Sequence, residues 1–217
     1  MSNVIIRAFQ TGDRESVRAI CCDTADRGKP IEQFFPDRQC AADLLTAYYT
    51  DYEPSSTFVA EAGGQVVGYI EGCFDNRRYG LLMFWVLIPQ ALCKGFKNGV
   101  FFRREFWRMA SAMLRNWRRL FVWRKDSFHS HQGHMHIGIV EGFRGQRIGQ
   151  KLVEALCNYA RTKGVAELTA SAHDGNTTAC RFFERLGFEV KDRYPMVMAR
   201  GNIFEHYNSL LYVKKII

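Results

Sequence analysis

The residues of this chain best suited to chemistry lie in a glycine-bearing stretch, IGIVEGFRGQRIGQKL at positions 137–152, between an apolar strand and a helix. Backbone N–H groups at the start of a helix lack intrahelical partners, and together with the helix dipole they favour a bound anion. Gly145 and Gly149 let phosphate oxygens approach the main chain, and Arg144 and Arg147 add positive charge. The stretch therefore indicates a phosphate-binding turn, although a plain strand-to-helix turn with a solvated basic rim also fits it.

A second stretch, NTTACRFFERLGF at positions 176–188, follows after the length that one helix and one strand require. Asn176 is a favoured N-cap residue for a helix, and Gly187 is suited to end that helix. Strand, glycine turn, helix, strand, helix and strand in this order predict an α/β fold with a partly parallel and partly antiparallel sheet.

Together the two stretches resemble the GNAT superfamily of acyl-CoA N-acyltransferases, whose phosphate loop runs Arg/Gln-x-x-Gly-x-Gly/Ala and whose later motif runs Asn-x-x-Ala-x-x-x-Tyr-x-x-x-Gly-Phe. The segment IIRAFQTGDRESV and the Gly-Tyr-Ile after a predicted hairpin are also similar to that family. The resemblance covers 3–75 and 133–217 and leaves 76–132 unmatched. It implies a mixed, mostly antiparallel sheet with flanking helices. It also implies the transfer of an acetyl or other short acyl group from acyl-CoA to an amine by direct attack.

The resemblance also assigns site residues, with acetyl-CoA as the acyl donor. Backbone groups of Ile139 and Val140 would pair with the pantetheine arm and polarise the thioester carbonyl, and Asn176 would touch the pantetheine. The residues that would wrap the pyrophosphate are Arg144, Gly145, Gln146, Arg147, Ile148, Gly149 and Gln150.

Two positions depart from the family pattern. Arg147 stands where the family usually has glycine, and a side chain at this position should keep φ negative. Phe183 stands where the family often has the tyrosine that protonates the departing thiolate. Loss of a general acid typically lowers the rate by about 10²–10⁴-fold, although a thiol with a pKa of about 8.5 also leaves as the thiolate. Water or Cys180 could replace the missing acid.

Direct attack requires a base, because an alkyl ammonium with a pKa of about 10.4 is almost wholly charged at neutral pH. The candidates are His134 and His136, which share one face of their strand, together with Glu141 and His173. A structural role as a hydrogen-bonded or exposed polar group is the alternative for each. The run His129, His131, His134 and His136 could also bind a metal ion, but it has no carboxylate or thiolate partner, so we expect none.

The segment 76–128 holds 12 of the 30 Lys and Arg residues, only two acidic residues and all four tryptophans. Its spacing is helical from about Phe101 to Trp123, and we expect two helices here. This insertion at 76–132 would be a packed flap, an acceptor-binding lid that favours acidic or phosphate-bearing amines, or an anionic membrane contact. Nucleic-acid binding is less favoured because no recognised module is present.

The remaining features favour one domain over residues 1–217. Seven scattered cysteines without a CxxC pair argue against a disulfide framework, and no signal-peptide pattern is present, which predicts a cytoplasmic protein. The longest apolar run, at 81–88, is cut by Pro89 and predicts no membrane span. The acceptor, a small-molecule or peptide amine, and the oligomeric state stay open. The alternative functions are a CoA-binding module with reduced catalysis and a membrane-surface protein.

Overall fold

The computed structural model describes residues 4–127 and 132–216, which include one seven-stranded sheet. Its order is β1-β2-β3-β4-β5-β7-β6, and every neighbouring pair is antiparallel except β4 with β5. The strands are β1 (Val4–Ala8), β2 (Thr57–Ala62), β3 (Gln65–Cys73), β4 (Gln132–Ile139), β5 (Glu167–His173), β6 (Glu189–Arg200) and β7 (Ile203–Lys215). The predicted mixed, mostly antiparallel sheet with flanking helices is confirmed.

The helices expected from about Phe101, after the glycine turn and after Asn176 begin within a few residues of the prediction, and the described residues include seven α-helices. They are α1 (Arg14–Thr24), α2 (Arg38–Ala47), α3 (Asn76–Leu82), α4 (Ile88–Lys97), α5 (Arg104–Ser127), α6 (Ile148–Thr162) and α7 (Thr177–Arg185). Two π-helical turns, Tyr48–Tyr52 after α2 and Met83–Leu87 between α3 and α4, were not predicted. Such turns shift the side chains that follow them relative to an ideal helix.

Helices pack against both faces of the sheet. On one face α6 buries Leu152, Leu156 and Ala160, which recur every four residues and so form one helical stripe. On the other face α1 packs Val17 and Ile20 against the sheet. Because strand side chains alternate between faces, consecutive residues of β4 are divided between these two cores.

A gap opens in the middle of the sheet, where β4 and β5 part. Their parallel pairing runs only from Gln132 to His134 on β4. Beyond this point β4 pairs with β3 alone, and the N–H of Val140 continues that ladder by donating to the carbonyl of Val67 at 3.0 Å. Backbone groups of an antiparallel strand point alternately to either side. Those of Ile137 and Ile139 therefore face the gap.

The insertion holds two long helices, as expected. The turn Met83–Leu87 joins α3 and α4 into one helix, and α5 occupies the stretch whose spacing was helical. Pro89, which interrupts the apolar run at 81–88, does not end the first helix. It lies in the first turn of α4 behind the π-helical turn, where the N–H of Ile88 already reaches five residues back to Met83.

The expectation that no segment matches a membrane span is wrong for this helix. Asn76–Lys97 has 22 residues, and an 18-residue window of it has a mean hydropathy of 1.3. Only 11% of that window is buried inside the protein. Length and composition alone do not make it a span, because its ends are fixed by packing on the domain.

Candidate active site

The predicted phosphate-binding turn forms the start of α6. A 3-10 turn (Glu141–Phe143) ends β4, and Arg147 then caps α6, whose first residue is Ile148. Within the described residues, no hydrogen bond takes up the backbone N–H groups of 145–150, whereas the next one, of Lys151, bonds to the carbonyl of Arg147 at 3.2 Å. Six consecutive amides at a helix N-terminus are therefore available to an anion.

Arg147 corrects the expectation about its backbone. Its φ is +59°, in the left-handed region, although a side chain was expected to keep φ negative. The residue thus adopts the conformation that a glycine would take at this family position, at a cost of about 1–2 kcal/mol. The turn keeps its shape and the arginine adds a charge at its rim.

We expect Arg147→Gly to raise the free energy of unfolding by about 1 kcal/mol. Relief of the left-handed backbone contributes about 1–2 kcal/mol, and the greater freedom of the unfolded chain subtracts about 0.4–1 kcal/mol. Urea denaturation measures the difference. Arg147→Ala is the control, since it removes the same side chain and keeps the strain. Equal stability of the glycine and alanine variants would contradict this account.

A groove of about 520 Å³ opens beside the turn and reaches the gap between β4 and β5. Four arginines and no carboxylate line it. Arg27 forms an ion pair with Glu205 at 3.0 Å, whereas the other three form no ion pair among the described residues. These three are Arg144, Arg147 and Arg185. The groove is therefore an electropositive channel that suits a polyphosphate.

Most of the predicted cofactor-binding residues line this groove. The turn contributes both glycines, and Asn176 stands at the opposite wall, where its Oδ1 also accepts the N–H of Ala179 at 3.2 Å as an N-cap. Asn176 therefore serves as a cap and borders the groove. The predicted residues found in the lining are Ile139, Arg144, Gly145, Arg147, Ile148, Gly149, Gln150 and Asn176.

Arg144 holds the groove together. Its Nε donates to the carbonyl of Ile139 at 3.0 Å, and its NH2 group donates to the carbonyl of Gly28 at 3.1 Å. The guanidinium thus joins the end of β4 to the loop after α1. These two hydrogen bonds hold the two walls of the groove in place. The second terminal nitrogen of the guanidinium remains available for a ligand.

Besides the candidate histidines, which are described below, four predicted site residues do not line the groove. Val140 uses its N–H on Val67, and the amide nitrogen of the Gln146 side chain donates to the carbonyl of Gly142 at 3.2 Å. Glu141 is exposed on the 3-10 turn. In contrast to Val140, Ile137 and Ile139 direct their backbone groups toward the gap.

Phe183, at the position where the family often has a tyrosine, is the fourth. The side chain is only 5% exposed and packs in the core against Phe188 and Tyr212. Its neighbour Phe182 lines the groove instead. A Cβ on Gly149 would lie 2.8 Å from the Phe182 ring, so glycine there lets α6 and α7 approach.

Other groove residues were not identified from the sequence. Arg27 and Gly28 come from the loop after α1, more than one hundred residues before the turn, and no local pattern marks them. Thr178, Phe182 and Arg185 recur at helical spacing on α7, and this periodicity could have shown that they share a face with Asn176.

A polar cluster lies on the α1 face of the sheet, next to the gap. It consists of Tyr49, Glu71, Tyr79, His134 and His136. Gly138, two residues beyond His136 on the same strand face, lines the groove. Alternate residues of a strand are about 7 Å apart, so the cluster adjoins the inner end of the groove.

His134 is hydrogen-bonded at both ring nitrogens. The side-chain amide nitrogen of Asn76 donates to the carbonyl of Gln132 at 2.7 Å, which turns the Asn76 Oδ1 toward His134 Nδ1 at 2.9 Å. Nδ1 therefore carries the proton, and Nε2 accepts the hydroxyl of Tyr49 at 2.8 Å. This arrangement fixes the imidazole and leaves it no nitrogen for a substrate.

His136 is different. Within the described residues its ring forms no hydrogen bond, and it stands edge-on to Tyr49 with ring centroids 5.7 Å apart. The side chain is exposed, yet burial by surrounding protein lowers its pKa to about 4. His136 is therefore a neutral, free imidazole at neutral pH.

Glu71 is the cross-strand partner of His136 in the β3–β4 register. It is fully buried, and neither carboxyl oxygen has a hydrogen-bond partner among the described residues. Burial raises the pKa of Glu71 well above its ordinary value, which favours the neutral carboxylic acid over the carboxylate.

Stability should depend on pH through His134. Burial, helped by the nearby His136, lowers the pKa of His134 to about 3. Between about pH 6.5 and about pH 3 the unfolded chain therefore binds a proton that the folded chain does not, and stability falls as the pH falls. From about pH 7 to about pH 5, the wild-type protein should lose about 2 kcal/mol more than His134→Gln.

Urea denaturation of both proteins at the two pH values measures this difference. Glu71 contributes with the opposite sign, because its folded pKa is raised, but it does so in both proteins and cancels. Parallel pH profiles for the two proteins would show that His134 is not held neutral by burial.

His173 and Cys180 lie away from the groove. The Nδ1 atom of His173 accepts the N–H of Gly175 at 2.8 Å, and its ring stacks on Tyr207. The thiol of Cys180 contacts the carbonyl of His173 at 3.7 Å. Neither is placed for the roles considered above. His129 and His131 lie outside the described residues, and those that are described contain no group of three potential metal ligands.

Comparison with known proteins adds independent findings. The model of the acetyltransferase (GNAT) family matches residues 99–188, which include the phosphate-binding turn and the α7 motif. The chain is similar to L-methionine sulfoximine/L-methionine sulfone acetyltransferases of Pseudomonas paraeruginosa and Pseudomonas aeruginosa, with 31% identity over 71 residues. That match spans 33% of this chain and only 40% of the relatives' length.

Solved structures extend the likeness of the fold to the whole chain. The crystal structure of SsHAT has a TM-score of 0.74 at 23% identity and covers 99% of both chains. The structure of yncA, a putative acetyltransferase from Salmonella typhimurium with its cofactor acetyl-CoA, has a TM-score of 0.60 at 16% identity. It covers 100% of this chain and 95% of that one. Both motifs lie inside residues 99–188, so the match to the acetyltransferase (GNAT) family rests on the segment that forms the phosphate-binding turn and α7.

Proposed function

We propose that this chain transfers an acetyl group from acetyl-CoA to the amine of a small-molecule or peptide acceptor. The observation that carries the proposal is the row of six unpaired amides at the start of α6, which opens on an electropositive groove beside the gap in the sheet. The acetyltransferase relatives and the acetyl-CoA-bound neighbour support acetyl-CoA as the donor.

The groove fits this donor in charge and shape. Coenzyme A carries a diphosphate and a 3′-phosphate, and the turn with Arg147 and Arg185 offers amides and guanidinium groups to such anions. A Cβ on Gly145 would have open space around it, so the main chain is accessible at that point. Ile137 and Ile139 present backbone groups along the gap, where an extended arm can pair with β4.

Acetyl-CoA supplies an activated acyl carbon. The protein must position the thioester, stabilise the negative charge that develops on the thioester carbonyl oxygen, and deprotonate the amine. The N–H groups of Ile137 and Ile139 face the gap and are the available donors for a carbonyl oxygen that gains negative charge. His136 is the available base, since His134 is hydrogen-bonded at both nitrogens and Glu71 is sealed from solvent. An imidazole of low pKa stays unprotonated and can pass a proton to solvent rapidly.

Neither Phe183 nor Cys180, the two α7 positions considered for the acid, lines the groove. Phe183 has no proton to give and is buried in the core, and the thiol of Cys180 is turned toward His173. Coenzyme A therefore leaves as the thiolate or takes a proton from water, which its thiol pKa of about 8.5 permits.

The side chains in contact with the two histidines are aromatic. Tyr49 and Tyr79 flank them, and the polar cluster contains no arginine or lysine. Aromatic faces attract an ammonium group before it is deprotonated. This composition favours a cationic amine and gives no support to the acidic or phosphate-bearing acceptor considered from the insertion.

Titration calorimetry with acetyl-CoA, followed by thiol release with a panel of amines, tests the proposal. We expect one binding site per chain and thiol release that depends on a specific amine. Binding without release from any amine would instead support the alternative of a CoA-binding module with reduced catalysis. Absence of binding would overturn both.

A further inference from the structure

The insertion exposes an apolar surface that no other part of the described chain covers. Eleven of the fifteen large hydrophobic side chains that are exposed in the described residues lie between positions 81 and 117. Trp85 is 71% exposed, Phe96 is 67% exposed and Trp107 is 62% exposed. Scattered exposed apolar residues are ordinary, but a concentrated set indicates an interaction surface.

On the helix Asn76–Lys97 these residues form one stripe. At about 100° per residue, they fall within about one third of the helix circumference. The stripe consists of Leu81, Phe84, Trp85, Ile88, Leu92 and Phe96. Ring contacts continue it through Phe101 and Phe106 to Trp107 at the start of α5. We call this the aromatic stripe.

Basic residues border the aromatic stripe. No charged residue occurs between Tyr79 and Cys93, but Arg77 and Arg78 precede this run, and Lys94 and Lys97 follow it. Over 76–117 there are eight Lys and Arg residues and one acidic residue, Glu105. An apolar helix face with Trp, Phe and Leu, flanked by arginine and lysine, has the composition of helices that lie on anionic bilayers.

Packing fixes this helix tangentially to the domain. Its inner face buries Leu87 and Ala91, and Tyr79 and Met83 pack against the tyrosines after α2. Near its C-terminal end Lys94 pairs with Asp43 at 2.8 Å. A helix that is bound to the domain along its inner face presents its outer face to a bilayer surface. It can insert its outer face to the depth of the headgroups.

We propose that the aromatic stripe binds an anionic lipid bilayer surface. The apolar side chains enter the boundary between headgroups and acyl chains, and the exposed Arg77, Arg78 and Lys97 contact anionic headgroups. A second copy of the chain is disfavoured as the occupant, because it would bring the same excess of positive charge against the stripe. An acidic partner protein remains an outcome of the test.

Flotation with phosphatidylcholine vesicles that contain about 30% phosphatidylglycerol tests the proposal. Flotation separates bound protein from aggregates, which sediment. We expect the wild-type protein to float with these vesicles, and to do so less at high salt, and not to float with pure phosphatidylcholine. Phe84→Ser/Trp85→Ser and Arg77→Glu/Arg78→Glu should each reduce partitioning by at least about tenfold.

Matched controls come from surfaces away from the insertion. Ile5→Ser removes another exposed apolar residue, and Lys191→Glu/Arg193→Glu makes the same change in net charge. Both should partition within about twofold of the wild-type protein. The substitution of Arg77 and Arg78 by glutamate is compatible with the helix, because acidic residues are favourable in a first helical turn. Binding of acetyl-CoA then serves as the test that every variant is folded.

Three results would overturn the proposal. The first is equal partitioning to neutral and anionic vesicles, and the second is no partitioning at all, in which case capture by an acidic protein is the remaining explanation. The third is a concentration-dependent dimer, seen by sedimentation velocity without lipid, that Phe84→Ser/Trp85→Ser abolishes. None of these outcomes depends on acetyl transfer.

Discussion

Replacing His136 with alanine should lower kcat for acetyl transfer by about 100–10,000-fold and leave the affinity for acetyl-CoA unchanged. His136 is the only member of the polar cluster with an accessible and unengaged basic nitrogen. It also lies two residues from the groove-lining Gly138 on the same strand face. Steady-state kinetics with the best amine from the panel, together with calorimetry, separates the two quantities.

The defect should depend on the acceptor. An amine whose pKa lies well below neutrality arrives unprotonated and needs no base, so His136→Ala should lose much less activity with such an amine. His173→Ala is the matched control, because that histidine stacks on Tyr207 outside the groove. If His136→Ala retains full activity and Glu71→Gln loses it, the base has been assigned to the wrong strand.

The sequence predicted those parts of the site that depend on local structure. A helix that begins after Gly145 leaves its amides unpaired whatever the rest of the fold does, and Asn176 caps α7 through its own side chain. The order of the two motifs along the chain then predicted that one mixed sheet would bring them together. Features of this kind depend on residues that are close in sequence, so they can be predicted from a single amino-acid sequence.

The parts that were missed depend on contacts distant in sequence or on small rotations. Arg27 and Gly28 reach the groove because Arg144 binds the carbonyl of Gly28 across 116 residues. Phe182 and Phe183 are neighbours, and a helix turns by about 100° per residue. The rotation of α7 about its own axis therefore determines which of the two rings faces the groove, and the sequence does not give that rotation.

The catalytic candidates show the same limit. His134 and His136 were equivalent in sequence because both lie on one face of β4. What separates them is the insertion, whose Asn76 binds one imidazole, and the π-helical turn, whose Tyr49 donates to the same ring. Neither contact has a sequence signal. The register that sets Glu71 opposite His136 likewise comes from the paired strands.

The affinity for acetyl-CoA should depend most on the arginines that face the phosphates. We expect Arg147→Glu/Arg185→Glu to raise the Kd of acetyl-CoA by at least about 100-fold. Each charge-assisted hydrogen bond contributes about 1.5–3 kcal/mol, and two of them together exceed the factor of one hundred that about 2.8 kcal/mol represents. Calorimetry at low and moderate salt measures the change, which should shrink as salt screens the charges.

Two comparisons isolate the phosphates as the cause. Arg181→Glu makes the same reversal one turn earlier on α7, at an exposed position outside the groove lining, and should change the Kd by less than about threefold. S-acetylpantetheine lacks every phosphate, so the double variant and the wild-type protein should use it equally well. If the double variant instead loses activity with S-acetylpantetheine to the same extent, the two arginines support the fold of the turn, and the groove does not bind its ligand through charge.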